Sequence, residues 1–182
     1  MKLFAAGVAM IVIIAETVVA AEKPRQVAEP KPLPMALDSD FQFRKTKLFS
    51  LTEKDPAQAV KGRSFNKLSS SPDASLSFER SYRLFGAITA VDQRQRAGEY
   101  FDFFWRAKRN ANITIRLEYR QEKLRSFVQA REAFYPNARG SQKTEFAIIG
   151  DDYLDDGRII AWRCLLIESG RIVAINRSFL WE

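Results

Sequence analysis

Residues 113–120 read ITIRLEYR, and the reading of this stretch decides the fold class. Ile113, Ile115, Leu117 and Tyr119 alternate with Thr114, Arg116, Glu118 and Arg120. Successive side chains on a strand point to opposite faces. The period of two therefore predicts a half-buried strand, with Ile115 and Leu117 in the core and Arg116 and Glu118 on an exposed, charged face. Working outward, β-rich stretches fall at about 82–92, 99–108, 124–135, 142–150, 159–168 and 171–181, which makes seven predicted strands. Ser169-Gly170 separates the last two as a tight hairpin turn, glycine meeting the need for positive φ. Asp156-Gly157 and Asn137 to Gly140 are further breaks. Beyond the N-terminus no stretch carries a convincing helical period, and nothing repeats.

Seven antiparallel strands over residues 76–182 predict an all-β domain, a two-layer β-sandwich. At the level of fold this resembles the immunoglobulin or fibronectin type III architecture. A closed or half-closed barrel is the alternative closure. The paired cysteines of antibody domains are absent, because the chain has a single cysteine. Cys164 alternates with Ile160, Trp162 and Leu166, which predicts burial on an apolar strand face. Some strands are apolar on both sides: Phe101, Phe103 and Trp105 are backed by Tyr100 and Phe104, and Trp162, Cys164 and Leu166 by Ile159, Leu165 and Ile167. A second apolar face needs a cover. Residues 41–75, an irregular segment with Phe41, Phe43, Phe49 and Leu51, are expected to pack back as that cover; a partner subunit is the alternative.

The N-terminus sets the compartment. Lys2, the unbroken apolar run Leu3 to Ala15 and the small residues Val18 to Ala21 are the three parts of a cleavable signal peptide over 1–21, forming a signal helix. The rival is an uncleaved anchor over residues 3–21, in which Glu16 would sit inside the bilayer at a cost of about 3 kcal/mol. The chain is thus expected to be exported, periplasmic or extracellular, or held at the inner membrane by its N-terminus. Residues 22–40 carry Pro24, Pro30, Pro32 and Pro34 and are expected to form an extended, Pro-rich linker.

The formal charge of +7 favours anionic partners: acidic envelope polymers, lipid head groups or an acidic protein. No nucleic-acid reader is recognisable, so no nucleic acid is expected. Arg116, Arg120, Arg131, Arg163 and Arg177 are the candidate binding surface, with Glu118 and Glu132 interleaved as ion-pair partners. The loop GDDYLDDG, residues 150–157, places Asp151, Asp152, Asp155 and Asp156 close together and is a weak Ca²⁺ candidate without EF-hand spacing. No cofactor motif is present. The chain has no histidine, which removes the usual hydrolase triad, a histidine zinc site and imidazole acid–base chemistry. A carboxylate pair drawn from Asp102, Glu118 and Glu132 leaves a glycan-active enzyme as the alternative. The expectation is an exported, non-enzymatic binding or structural module of the cell envelope; a membrane-tethered subunit of an envelope complex is a further alternative.

Overall fold

The computed structural model describes residues 23–51 and 72–181. The expected signal peptide lies outside the described residues. The elements are β1 (Arg25–Val27), β2 (Phe41–Leu51), α1 (Pro72–Arg83), α2 (Ala90–Arg96), β3 (Gly98–Gln121), β4 (Gln129–Ile149), α3 (Asp151–Leu154), β5 (Ile159–Glu168) and β6 (Arg171–Arg177). The chain is predominantly β, and the six strands form one antiparallel sheet. Its backbone is the β3–β4 hairpin. On the other edge of β3, β2 pairs with residues 98–107 and β5 with residues 113–121, so one strand carries two neighbours in tandem.

That strand is folded back on itself. Trp162 pairs with Tyr119, yet its ring meets those of Phe101 and Phe103 at 5.9 and 5.5 Å. A straight strand would hold Phe103 and Tyr119 roughly 53 Å apart. The bend lies where the β3–β4 register shifts between Ala107 and Ile113, opposite Asn137 (φ 48°) and Gly140 (φ 75°) in β4. Bulges with residues of positive φ bend a strand and increase its twist. Ala107, Ala111 and Ala138 are buried at this corner, and their small side chains leave room for the turn. The inner faces of the two halves then close on a core that includes Phe103, Trp105, Ile113, Ile115, Leu117, Phe146 and Cys164. Asn176 of β6 donates to Thr46 Oγ1 of β2 at 2.7 Å across the closure.

The alternation at 113–120 places Ile115 and Leu117 fully inside, and Cys164 is a free, fully buried thiol. The seven-strand count is corrected: the described residues form six strands in one continuous sheet. Stretches 99–108 and 113–120 are one strand, as are most of 124–135 and 142–150, because the bulges bend the chain without ending its hydrogen bonding. Residues 82–92 are not a strand. They hold the end of α1, a turn and the start of α2, whose Thr89 and Asp92 form a capping box: Thr89 Oγ1 accepts from the Asp92 N–H at 3.1 Å and Asp92 Oδ2 from the Thr89 N–H at 2.9 Å.

Part of the second face is covered from elsewhere, while residues 52–71 of the segment expected to cover it lie outside the described residues. Phe41–Leu51 alternates well enough to join the sheet as β2 and cannot lie across it. Leu165, Ile167 and Ile172 instead pack under Leu33. The proline-rich stretch forms β1 against β4, then crosses the back of the sheet. The Ile172 N–H donates to the Pro34 carbonyl at 2.9 Å, Ala36 N–H to the Ile172 carbonyl at 2.9 Å and Asp38 N–H to the Val173 carbonyl at 3.0 Å. Prolines keep such a strap extended, Pro34 serving as an acceptor while Ala36 and Asp38 beyond it donate. Arg109 fastens its end, pairing with Glu168 at 2.5 Å and Asp38 at 3.1 Å.

Candidate functional site

Four of the five candidate arginines share the outer face of the C-terminal half; that face is covered at Arg116, while Arg177 at its edge stays exposed. Arg116 pairs with Glu132 at 2.5 Å and Glu118 at 3.5 Å, and donates to the Lys31 carbonyl of the strap. Arg163 holds Glu118 at 2.6 Å. Arg120 and Arg163 lie 4.8 and 5.0 Å from the Trp181 ring centroid, and Arg177 donates to the Trp181 carbonyl. The expectation that Arg116 and Glu118 are exposed is corrected: they are only 9% and 3% exposed. Their strand face is charged, yet the strap and Trp181 close over this part of it, and Arg116, Glu118, Glu132 and Arg163 neutralise one another. Arg131 is on the opposite face, paired across the strands with Leu117, and binds Asp152 at 2.5 Å and the Ala147 carbonyl at 2.6 Å.

The aspartates of 150–157 do not converge. Asp152 is held by Arg131, Asp156 accepts from Gln129, and Asp151 and Asp155 are exposed. Among the described residues no group of three acids, cysteines or histidines could hold a metal ion. Of the acids named for glycan chemistry, Glu118 and Glu132 are the partners of Arg116 and Arg163 just described.

Asp102 lies on the outer face of the N-terminal half, directly across from Glu145. Arg83, at the end of α1, is inserted beside them. It pairs with Glu145, with Glu79 at 2.9 Å and with Asp102 at 3.7 Å, and its guanidinium lies 4.4 Å from the Tyr100 ring centroid. Lys143 completes the cluster, 2.9 Å from Asp102 and 3.5 Å from Glu145. Burial raises Asp102 above the ordinary carboxylate range against the pull of Lys143. Burial pushes Glu145 the same way, but the hydrogen bond and charge of Arg83 win and lower it. This cluster fixes α1 to the sheet.

The open site is a cleft of about 420 Å³ where the end of β2 faces the start of β5. Leu48, Phe49, Phe101, Ile159, Ile160 and Trp162 form its walls, with Phe179 and Leu180 on a third side. The segment after β6 is placed by paired bonds: Ser178 N–H donates to the Trp162 carbonyl at 2.9 Å, and Trp162 N–H to Ser178 Oγ at 3.0 Å. Leu48, Phe179 and Leu180 are exposed at the mouth.

Among the described residues one carboxyl lines this mostly apolar space. Glu99 lies on the inner face of β3, in step with Phe101 and Phe103, and accepts a long 3.3 Å bond from the Ile159 N–H. Burial pushes its carboxyl up to about 6, against the opposing effects of that bond and of Arg158. Apolar clefts with few polar groups and a perturbed carboxyl are the usual form of small-ligand sites. Neither Glu99 nor the cleft was among the sequence candidates. The signal was present: the alternation that points Phe101, Phe103 and Trp105 inward also points Glu99 inward. Comparison of the chain with family models, with curated proteins and with solved structures found no match.

Proposed function

We propose that the chain is an exported, non-enzymatic binding module of the cell envelope, whose β2–β5 cleft takes a small apolar molecule bearing one hydrogen-bond donor or cationic group. The observation that carries this reading is Glu99, one largely buried carboxyl lining a mostly apolar cleft. Trp162 and Phe101 offer flat apolar walls, and Glu99, held by only a long bond from the Ile159 N–H, offers an acceptor to a donor on the ligand. Export follows from the N-terminal signal pattern, and sandwich-type packing is supported by the contact of the two sheet halves through Trp162.

A glycan-active enzyme would need two acids facing one open space. Glu79 and Asp102 do line a second cleft of about 390 Å³, but Arg83 sits between them and pairs with both, and among the described residues Glu99 is the one acid lining the β2–β5 cleft, which favours binding over catalysis. The test is titration with N-phenyl-1-naphthylamine, an apolar amine whose fluorescence rises on burial. Saturable binding that an Ile160→Trp variant blocks and Glu99→Gln weakens supports the reading. Absence of saturable binding, or binding indifferent to Ile160→Trp, refutes it.

A further inference from the structure

The outward side of the N-terminal half of the sheet is basic and bordered by protruding apolar side chains. Strand register sets Lys45, Phe104 and Lys143 in one row across β2, β3 and β4, with Lys47 one row toward α1 and Arg106 one row away from it. Rows on one face are about 7 Å apart. The four cations are exposed. The acids of this face, Asp102 and Glu145, are engaged by Arg83 and Lys143, whereas Lys45, Lys47 and Arg106 make no ion pair among the described residues. Where the basic rows end, α1 begins, suspended from the same face by Arg83. From it and the turn that follows project Phe78, Tyr82, Phe85 and Ile88, the last two 83% and 88% exposed.

We propose that this side docks on the surface of an anionic lipid bilayer. Lys45, Lys47 and Arg106 face head-group phosphates, and Phe85 and Ile88 enter the interface. Cations beside unburied large apolar side chains are the pairing that anionic membranes reward, since charge brings the surface close and apolar area is then removed from water. A second copy of the chain is disfavoured as the occupant, because two bodies of charge +7 repel and the basic rows would meet their own kind. An acidic protein would match the cations but leaves the projecting Phe85 and Ile88 without a role. The inference stands independently of the cleft.

The test uses the full chain with an environment-sensitive dye on Ile88→Cys, and on Ser126→Cys in the β3–β4 turn as the comparison. The native Cys164 is fully buried and does not compete for label. With phosphatidylglycerol–phosphatidylcholine vesicles the dye at 88 should shift to the blue and be quenched by nitroxides on the acyl chains, while the dye at 126 stays silent. Because the readout is local, partitioning of residues 1–21 into the same vesicles does not imitate it. Replacing Lys45, Lys47 and Arg106 by glutamine should weaken the response at 88 at least tenfold. A silent dye at 88, an equal response on pure phosphatidylcholine, or no loss in the triple variant overturns the proposal.

Discussion

Replacing Glu99 by glutamine should stabilise the protein above neutral pH and leave it unchanged in acid. Burial moves the Glu99 carboxyl from 4.5 to about 6, so between those values the folded chain holds a proton that the unfolded chain has released. Stability from this group is therefore greatest below about pH 4.5, falls as pH rises through 6 and is level beyond. The full fall is about 2 kcal/mol; residual solvent contact reduces it to roughly 1–2 kcal/mol. Glutamine keeps the shape and an acceptor for the Ile159 N–H but never ionises. Urea unfolding followed by tryptophan fluorescence should show matching midpoints at pH 4. At pH 8 the variant's midpoint should lie higher by roughly 0.5–1 M. Asp102, Glu145 and the other acids titrate in both proteins and cancel in the difference. A difference curve that is flat from pH 4 to 8, or that rises in acid, would refute the account of Glu99 as a buried carboxyl without an adequate partner.

Gly98→Ala should cost at least about 3 kcal/mol, seen as a drop in melting temperature: at φ +149° its Cβ would meet the Ile148 carbonyl oxygen at 2.2 Å, and that backbone is locked in the β3–β4 ladder. Leu117→Ala should cost about 2–5 kcal/mol in urea unfolding, as for any filled core position. Arg116→Ala should cost about 3 kcal/mol as well, since it strands Glu132 and half of Glu118's pairing under the strap; a neutral result would show that the strap does not close. Cys164 should resist thiol reagents in the native state and react only on unfolding, because burial pushes its thiol well up and leaves no access.

Period-two alternation made the β class, the core side of residues 113–120 and the burial of Cys164 readable from sequence, because each depends on which way neighbouring side chains point. The Ser169-Gly170 turn was readable for a local reason too, both residues adopting positive φ. What a strand pairs with is not local. Arg116 and Glu118 alternate like exposed charges, and it is the strap, some eighty residues away in the chain, together with Trp181 that closes over them. The helices were missed for a related reason. Leu76, Phe78 and Tyr82 of α1 face outward beside Ser75, Ser77 and Ser81, which blurs its hydrophobic period, and the helix is fixed to the sheet by the ion pairs of Arg83. Thr89-x-x-Asp92, a capping pattern, was the available signal for α2.

The feature hardest to read is the one that makes the candidate site. A run of small and turn-forming residues, Ala107 to Ala111 opposite Asn137 to Gly140, looks like the end of one strand and the start of another. Continuous pairing on either side shows it to be a corner inside a single hairpin. Had the chain broken there into independent strands, Glu99 and Ile159 would have no reason to approach. Because β3 continues through the corner, its two ends are carried into register with each other and Glu99 meets the first residue of β5. The cleft lies where the end of β2 at Leu51 faces the start of β5 at Ile159, both paired with β3; among the described residues β2 and β5 do not pair with each other. Apolar walls follow from the inward alternation of Phe101 and Trp162, and the Glu99 carboxyl is met by a long backbone N–H bond of 3.3 Å and the charge of Arg158, which do not offset its burial. A sheet bent by bulges thus places a single carboxyl in a mostly apolar space, and it is on this carboxyl that the proposed ligand rests.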